Sequence, residues 1–322
     1  MRKKLLSLIV SVAMVMTVFA GMTVTASADE AATAEKTVFT VYNAVADADG
    51  NVTAGKVIKE YTVAEFEKLA KTDNSIGGFY YKKDAWNAIT SDTYVTVEDL
   101  LADAGLNKDF VKALYATETT DEGTASVYTK CEYKEYLTGS IYVYGETKGS
   151  DTAFTGNPTE QPLAISVTAA KGTVAADQTI AEYMAAAKST DTSYNVIAGS
   201  KDAADNAGKR LAQGISGIAV SVDQTAMDTA TAKALKVSSL TVKGSKGKAV
   251  VKYKKTTGAD GYKVVYSKTK NFKKSTTKAT TKTSYTLKLK KGTYYVKAAA
   301  YKKVDGKKVY GKYTSVKKVV VK

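Results

Sequence analysis

The stretch that decides the fold is GTYYVKAAAYKKVDGKKVYGKYTSVKKVVVK, residues 292–322. Tyr294, Val296, Ala298 and Ala300 stand two apart, the period of a strand with one buried face. Slipping the pairing by one residue would bury Lys297, so the alternation itself sets the register. Asp305-Gly306 marks a hairpin turn, and Lys312 to Val321 returns as a further strand. Upstream, Ala249 to Lys254, Tyr262 to Tyr266 and Ser284 to Lys290 alternate apolar residues with Lys or Thr in the same way. Thr257-Gly258-Ala259 and Lys291-Gly292 fall between them as turns. Short strands at roughly ten-residue spacing, without helix signals, predict an antiparallel β-sandwich over residues 237–322.

Charge divides the chain at the same place. From Thr231 onward there are 27 lysines against two acids, Asp260 and Asp305. Outside that segment and the first four residues, 30 acidic side chains face 17 basic ones. An acidic body joined to a basic tail predicts two modules. At the other end, Arg2, Lys3 and Lys4 precede an apolar run from Leu5 to Ala20, and Ala26-Ser27-Ala28 offers a cleavage pattern. Residues 1–28 are therefore expected to be a signal peptide cut after Ala28, with 29–36 a short linker. The expected location is secreted or at the cell surface, with no transmembrane segment left after cleavage. No wall-sorting motif follows Lys322, so any attachment to a wall is expected to be noncovalent.

The residues that are missing narrow the chemistry. Cys131 is the single cysteine, so no internal disulfide forms and stability must come from apolar cores. That usage fits a bacterial, Gram-positive-type exported protein. The chain has no histidine, which removes Ser-His-Asp and Cys-His catalysis and imidazole metal sites. Past the leader Arg210 is the lone arginine, leaving little for bidentate anion clamps. No enzyme activity and no cofactor are expected.

Between residues 37 and 222 strand and helix signals alternate, predicting an α+β domain. Thr37 to Tyr42 and Lys56 to Tyr61 read as strands around an Asp49-Gly50 turn. Thr62 with Glu65 forms a capping box ahead of the apolar Ala64, Phe66 and Leu69, and Thr96 with Asp99 repeats the signal before Leu100 and Leu101. Ser126 to Tyr133, Ser140 to Glu146, Leu163 to Thr168 and Gly217 to Val222 read as strands, and Thr179 to Ala187 as a helix. Residues 223–236, polar and without a clear apolar face, read as the interdomain linker.

The basic segment resembles the fibronectin type III-like repeats of clostridial-type secreted and surface proteins. Gly261-Tyr262, the Gly292 turn and the terminal strand keep that family's order. The resemblance implies a core aromatic at Tyr253, where Trp is usual, and a tyrosine corner at Tyr294 or Tyr295. It also implies a spacer or adhesion role. The middle domain is similar to the oxidoreductase molybdopterin-binding, sulfite oxidase-like domain through YTVAEFEKLA, TYVTVEDLLADAGL, QPLAISV and AGKRLAQGISGIAVSV. That family's metal-binding Cys would fall within Lys71 to Tyr94, where none exists, and its pterin-anchoring His and Arg are missing apart from Arg210. The resemblance thus implies a fold without its cofactor.

Several motifs have simpler explanations. Asp47, Asp49 and Asn51 space like a calcium loop, yet Val52 and Ile58 stand where Gly and Glu are needed, so a tight turn accounts for them. Ser267-Lys268-Thr269-Lys270 and Ser275-Thr276-Thr277-Lys278 match S-x-x-K in what reads as a loop, with no helix to present the serine. Tyr80, Tyr81 and Trp86 form the densest aromatic cluster in a turn-rich context. They are the candidate platform for a glycan or peptide ligand of the acidic domain. The lysine-rich domain is the candidate partner of an anionic cell-wall polymer, with nucleic acid not expected. The reading is a non-catalytic binding or adhesion protein. A carboxylate-based enzyme within residues 37–222 and an inert structural spacer are the competing readings.

Overall fold

The computed structural model describes residues 36–72, 74–82, 85–147, 154–175, 177–201 and 211–322. The expected signal peptide, nearly all of the 29–36 linker and Arg210 lie outside these residues. The acidic half opens with β1 (Phe39–Ala46), β2 (Val52–Tyr61), α1 (Val63–Glu67), β3 (Ile76–Lys82), β4 (Ala85–Thr96) and α2 (Val97–Asp103). After a 3-10 turn at Lys108–Phe110 come β5 (Val111–Thr119), β6 (Ala125–Tyr128), α3 (Lys134–Thr138), β7 (Ile141–Thr147) and β8 (Phe154–Gln161). Next follow β9 (Ala164–Val174), α4 (Ile180–Ala186), β10 (Val196–Ile197) and β11 (Gly217–Val222). The α+β expectation holds, with strands dominant.

One sheet has the order β2-β1-β11-β5-β6, and a second runs β10-β9-β4-β3. The β1–β11 pair is parallel, starting at Thr40 opposite Gly217, while the other pairs of the first sheet are antiparallel. Gly217 has a steric reason. A Cβ there would come within 2.1 Å of the Thr40 carbonyl oxygen. The main core joins both sheets and the helices, through Phe39, Val41, Phe66, Leu100, Leu101, Leu114, Ile165, Ile218 and Val220. Phe39 and Phe66 meet with ring centroids 4.6 Å apart.

The helices are too short to persist alone and depend on caps and packing. Thr62 Oγ1 accepts from Glu65 N at 3.3 Å while the Glu65 carboxylate accepts from Thr62 N at 3.0 Å, the predicted capping box. Thr179 and Glu182 repeat it at 3.1 and 2.8 Å. Thr96 caps α2 by accepting from Asp99 N. The strand expected over Ser126 to Tyr133 stops at Tyr128. There the Glu132 carboxylate accepts from the backbone N–H of Leu114 and of Lys134, 2.7 Å each, and turns the chain into α3. Cys131 lies half-buried in that turn, not on a strand.

The segment expected to be an irregular linker is helical. α5 (Gln224–Ala234) starts on the Asp223 carboxylate, which accepts from Ala226 N at 2.9 Å. Its small, mixed residues hide the periodicity that usually announces a helix. Beyond it run β12 (Thr241–Ser245), β13 (Lys248–Lys252), β14 (Gly261–Ser267), β15 (Ser275–Thr280), β16 (Ser284–Lys288), β17 (Gly292–Val304), β18 (Lys307–Tyr310) and β19 (Lys317–Val321). The helix is tied to the β17–β18 hairpin by an ion pair from Lys302 to Asp228 at 2.7 Å and by Thr225 Oγ1 donating to Asp305 at 2.9 Å.

β12 to β19 form the expected sandwich. One sheet is β12-β13-β16; the other is β15-β14-β17-β18, with β19 also paired to β17. Between them lie Val251, Tyr253, Val264, Leu287, Tyr294, Val296, Ala298, Ala300 and Val319. Tyr253 fills the core as the fibronectin type III resemblance implied, its ring 4.5 Å from that of Tyr262 and its hydroxyl donating to the Lys282 carbonyl at 3.0 Å. The tyrosine corner is Tyr294, whose hydroxyl donates to the Lys290 carbonyl at 3.0 Å.

Candidate functional site

Alternation along β3 decides what the predicted aromatic cluster can do. Tyr81 lies opposite Trp86 across the β3–β4 hairpin, and their rings meet edge to face at 5.6 Å. Both sit with Phe79, Ala88, Val174 and Ile180 in one small core, where Trp86 is only 5% exposed. Tyr80, one residue on, faces the other side of the strand and packs beside Ile76, Ile89 and Leu211. Tyr80, Tyr81 and Trp86 therefore do not share one exposed face. The period-two side-chain pattern of a strand separates the tyrosines, and the tryptophan fills core volume. Tyr80 and Tyr81 are half-buried and reach the surface from opposite sides.

Carboxylates gather instead around the start of α2. A cleft of about 490 Å³ is lined by Lys71, Glu98, Asp99, Lys108, Tyr136 and Glu160, among others. Four of these charges are paired, Lys71 with Asp99 at 3.0 Å and Lys108 with Glu98 at 2.6 Å. The Asp99 carboxyl is held below the usual range first by the Thr96 hydroxyl and then by Lys71. Asp103, bonded to Lys59, and Asp191, held at about 2 by Lys171 and Ser193, shift the same way. A general acid needs a carboxyl pushed upward by burial or by a like charge. These carboxylates are instead stabilised in the ionised form. The cleft floor is braced by the Gln161 amide, which accepts from Gly77 N at 2.9 Å and donates to Gly77 O at 2.8 Å.

The motifs set aside in sequence have local roles. Asp47 Oδ1 accepts from the backbone N–H of Asp49 and of Asn51 at 2.9 and 2.8 Å, with Gly50 at φ +85, so the carboxylate shapes the β1–β2 turn. Ser267 Oγ accepts from Thr269 N and donates to the Lys274 carbonyl, ordering the loop before β15. The second S-x-x-K match, Ser275 to Lys278, lies in strand β15 and not in a loop.

The sandwich presents its charge outward. Every lysine from Lys243 to Lys322 is well exposed except Lys263, Lys297 and Lys302, which are half-buried. Among the described residues, Lys302 is the one sandwich lysine in an ion pair. Asp260 is engaged by the Lys303 backbone N–H at 2.6 Å, and Asp305 by Thr225. Sequence reading found the charge but missed the rings beneath part of it. Tyr310, Tyr313 and Phe272 lie in turn or edge segments, where no apolar period marks them.

No helix among the described residues is long and apolar enough to cross a membrane. No protein-family model matches the chain, and no curated protein matches it. Among solved structures, the chain is similar to a fibronectin type III domain from the human KIAA0970 protein at 15% identity and a TM-score of 0.25. That match covers 31% of this chain and 82% of the other. It is also similar to the chicken CNTN1 FN1–FN3 domains at 10% identity and a TM-score of 0.25, covering 77% of this chain and 66% of the other.

Proposed function

We propose that this is a secreted or cell-surface, non-catalytic binding protein whose basic sandwich retains it on an anionic wall polymer. The observation that carries this reading is the lysine surface of the sandwich, exposed on every side and almost free of carboxylate partners among the described residues. Such a surface lowers its own electrostatic energy by drawing in a polyanion and releasing counterions. The middle domain is the part assigned to a glycan or peptide partner. Tyr80 and Tyr81 supply its surface aromatics on opposite faces, and Trp86 backs Tyr81 from the core. The paired, ionised carboxylates around α2 support a binding role over a catalytic one. The sulfite oxidase-like likeness brings no cofactor into this reading, because the stretch where that family's Cys falls is filled by the β3–β4 hairpin and its core aromatics.

The test is retention of the full-length chain on purified cell wall across a sodium chloride series. Binding at about 50 mM salt that is lost by about 300 mM is the expected result. No binding at the lowest salt, or binding indifferent to salt, would remove the electrostatic reading.

A further inference from the structure

The outer face of β14 and β17 carries rings and ammonium groups in alternation. The Lys263 ammonium lies 3.6 Å from the Tyr310 ring centroid and 5.4 Å from that of Tyr313. Lys297 lies 4.3 Å from Tyr313 and 4.4 Å from Phe272. The row thus reads Tyr310, Lys263, Tyr313, Lys297, Phe272 across the sheet. Register explains the placement: Lys263 pairs with Ala299, and Lys297 with Val265, so the lysines are diagonal neighbours on one face. The opposite face of the same strands, with Val264, Val296 and Ala298, is the sandwich core.

Two features set this row apart from ordinary solvated lysines. Like charges on a cross-strand diagonal repel, yet no carboxylate among the described residues pairs with either lysine. A π face attracts an ammonium but does not satisfy its three N–H donors as a carboxylate or phosphate oxygen would. The second feature is backbone strain. Phe272 adopts φ +56, a region a bulky residue rarely enters, and its ring meets the Lys297 ammonium from there. A glycine or asparagine would make the same turn at less cost. Tyr313 at the centre is 41% exposed, so the row is open to a ligand.

We infer that this row is a binding face for a polyol-phosphate wall polymer, with Lys263 and Lys297 taking successive phosphodiester groups and Tyr313 and Phe272 lying along the polyol between them. The inference rests on the retention reading above and locates it. Lysine serves as a point charge for phosphate oxygens, whereas paired carboxylate recognition favours the planar fork of arginine, which the sandwich lacks. Ring edges offer apolar contact to polyol CH₂ groups without demanding a base or a peptide.

The experiment titrates the full-length chain with lipid-free poly(glycerol phosphate) at about 50 mM salt. The Lys263→Gln/Lys297→Gln pair is compared with Lys252→Gln/Lys288→Gln, an equal charge loss on exposed positions of the other sheet. About tenfold weaker binding is expected for the first pair, and less than about twofold for the second. Phe272→Gly suits the positive φ, so it should fold normally and still bind several-fold more weakly. Equal losses for both lysine pairs would overturn the site while leaving retention by overall charge intact. No binding of poly(glycerol phosphate) by the unaltered chain at low salt would overturn the polyol-phosphate face, and only a loss of retention on purified cell wall as well would end both ideas. Tighter binding to single-stranded oligo(dT), or to oligogalacturonate, would overturn the choice of polyol phosphate.

Discussion

At Tyr294 a single hydroxyl closes the turn into β17. The ring belongs to the sandwich core, and its oxygen donates to Lys290 four residues earlier. Tyr294→Phe keeps the ring and removes that bond, so unfolding free energy from urea titration should fall by about 1 kcal/mol. An unchanged value would mean the bond contributes nothing beyond the ring's packing. Gly261 shows the same economy of space: a Cβ there would approach the Tyr301 hydroxyl to 2.6 Å, so any larger residue has to push that ring aside. Asp191 gives a pH handle. Lys171 and Ser193 lower its carboxyl from 3.8 to about 2, so the folded state holds the proton less tightly than the unfolded chain. The stabilisation is therefore present above pH 4 and fades as pH falls toward 2. Asp191→Asn should flatten that acid limb in urea midpoints measured between pH 5 and 2. A limb of unchanged slope would assign it to other carboxylates.

Elements depend on contacts of two kinds, and sequence shows only one of them. Caps at Thr62, Thr96 and Thr179 are local and legible, as are strands with one buried face such as β14, β17 and β11. Strand β15 was not legible: five of its six residues, Ser275 to Ala279, are exposed and the sixth is half-buried, so no alternation exists to read. Helix α5 escaped notice because it is held by Asp228 and Thr225 reaching residues more than 70 positions away. The Gln161 brace is equally distant in sequence, spanning 84 residues to Gly77. Both its amide atoms are satisfied by one backbone, so truncation leaves a buried N–H and C=O unpaired together. Gln161→Ala should cost about 2–3 kcal/mol in unfolding free energy and loosen hydrogen-exchange protection at Gly77. Loss of stability without any change at Gly77 would place the effect elsewhere.

For the whole molecule, the main cohesive terms are separate apolar cores and the main opposing electrostatic term is the sandwich's own charge. With one cysteine, no internal disulfide contributes. Unscreened lysines repel one another in the folded sandwich more than in an expanded chain. Raising sodium chloride from about 20 to 300 mM should therefore raise the unfolding temperature of the sandwich transition by a few degrees. A fall over that range would show that specific ion pairs outweigh the repulsion. The same screening weakens polyanion binding, so stability and retention should move in opposite directions with salt.

The sequence by itself determined the split of charge between an acidic stretch and a basic one, the register of β17 and the short-helix caps. These depend on neighbours within a few residues, or on total charge, and both are written in linear order. Only the tertiary structure decided that Trp86 is core, that Tyr80 and Tyr81 part company, that the linker is a docked helix, and that three rings line up with two lysines. Those outcomes come from strand pairing and turn placement between distant segments. Burial there depends on which face of a strand meets a partner, and linear order carries no record of that.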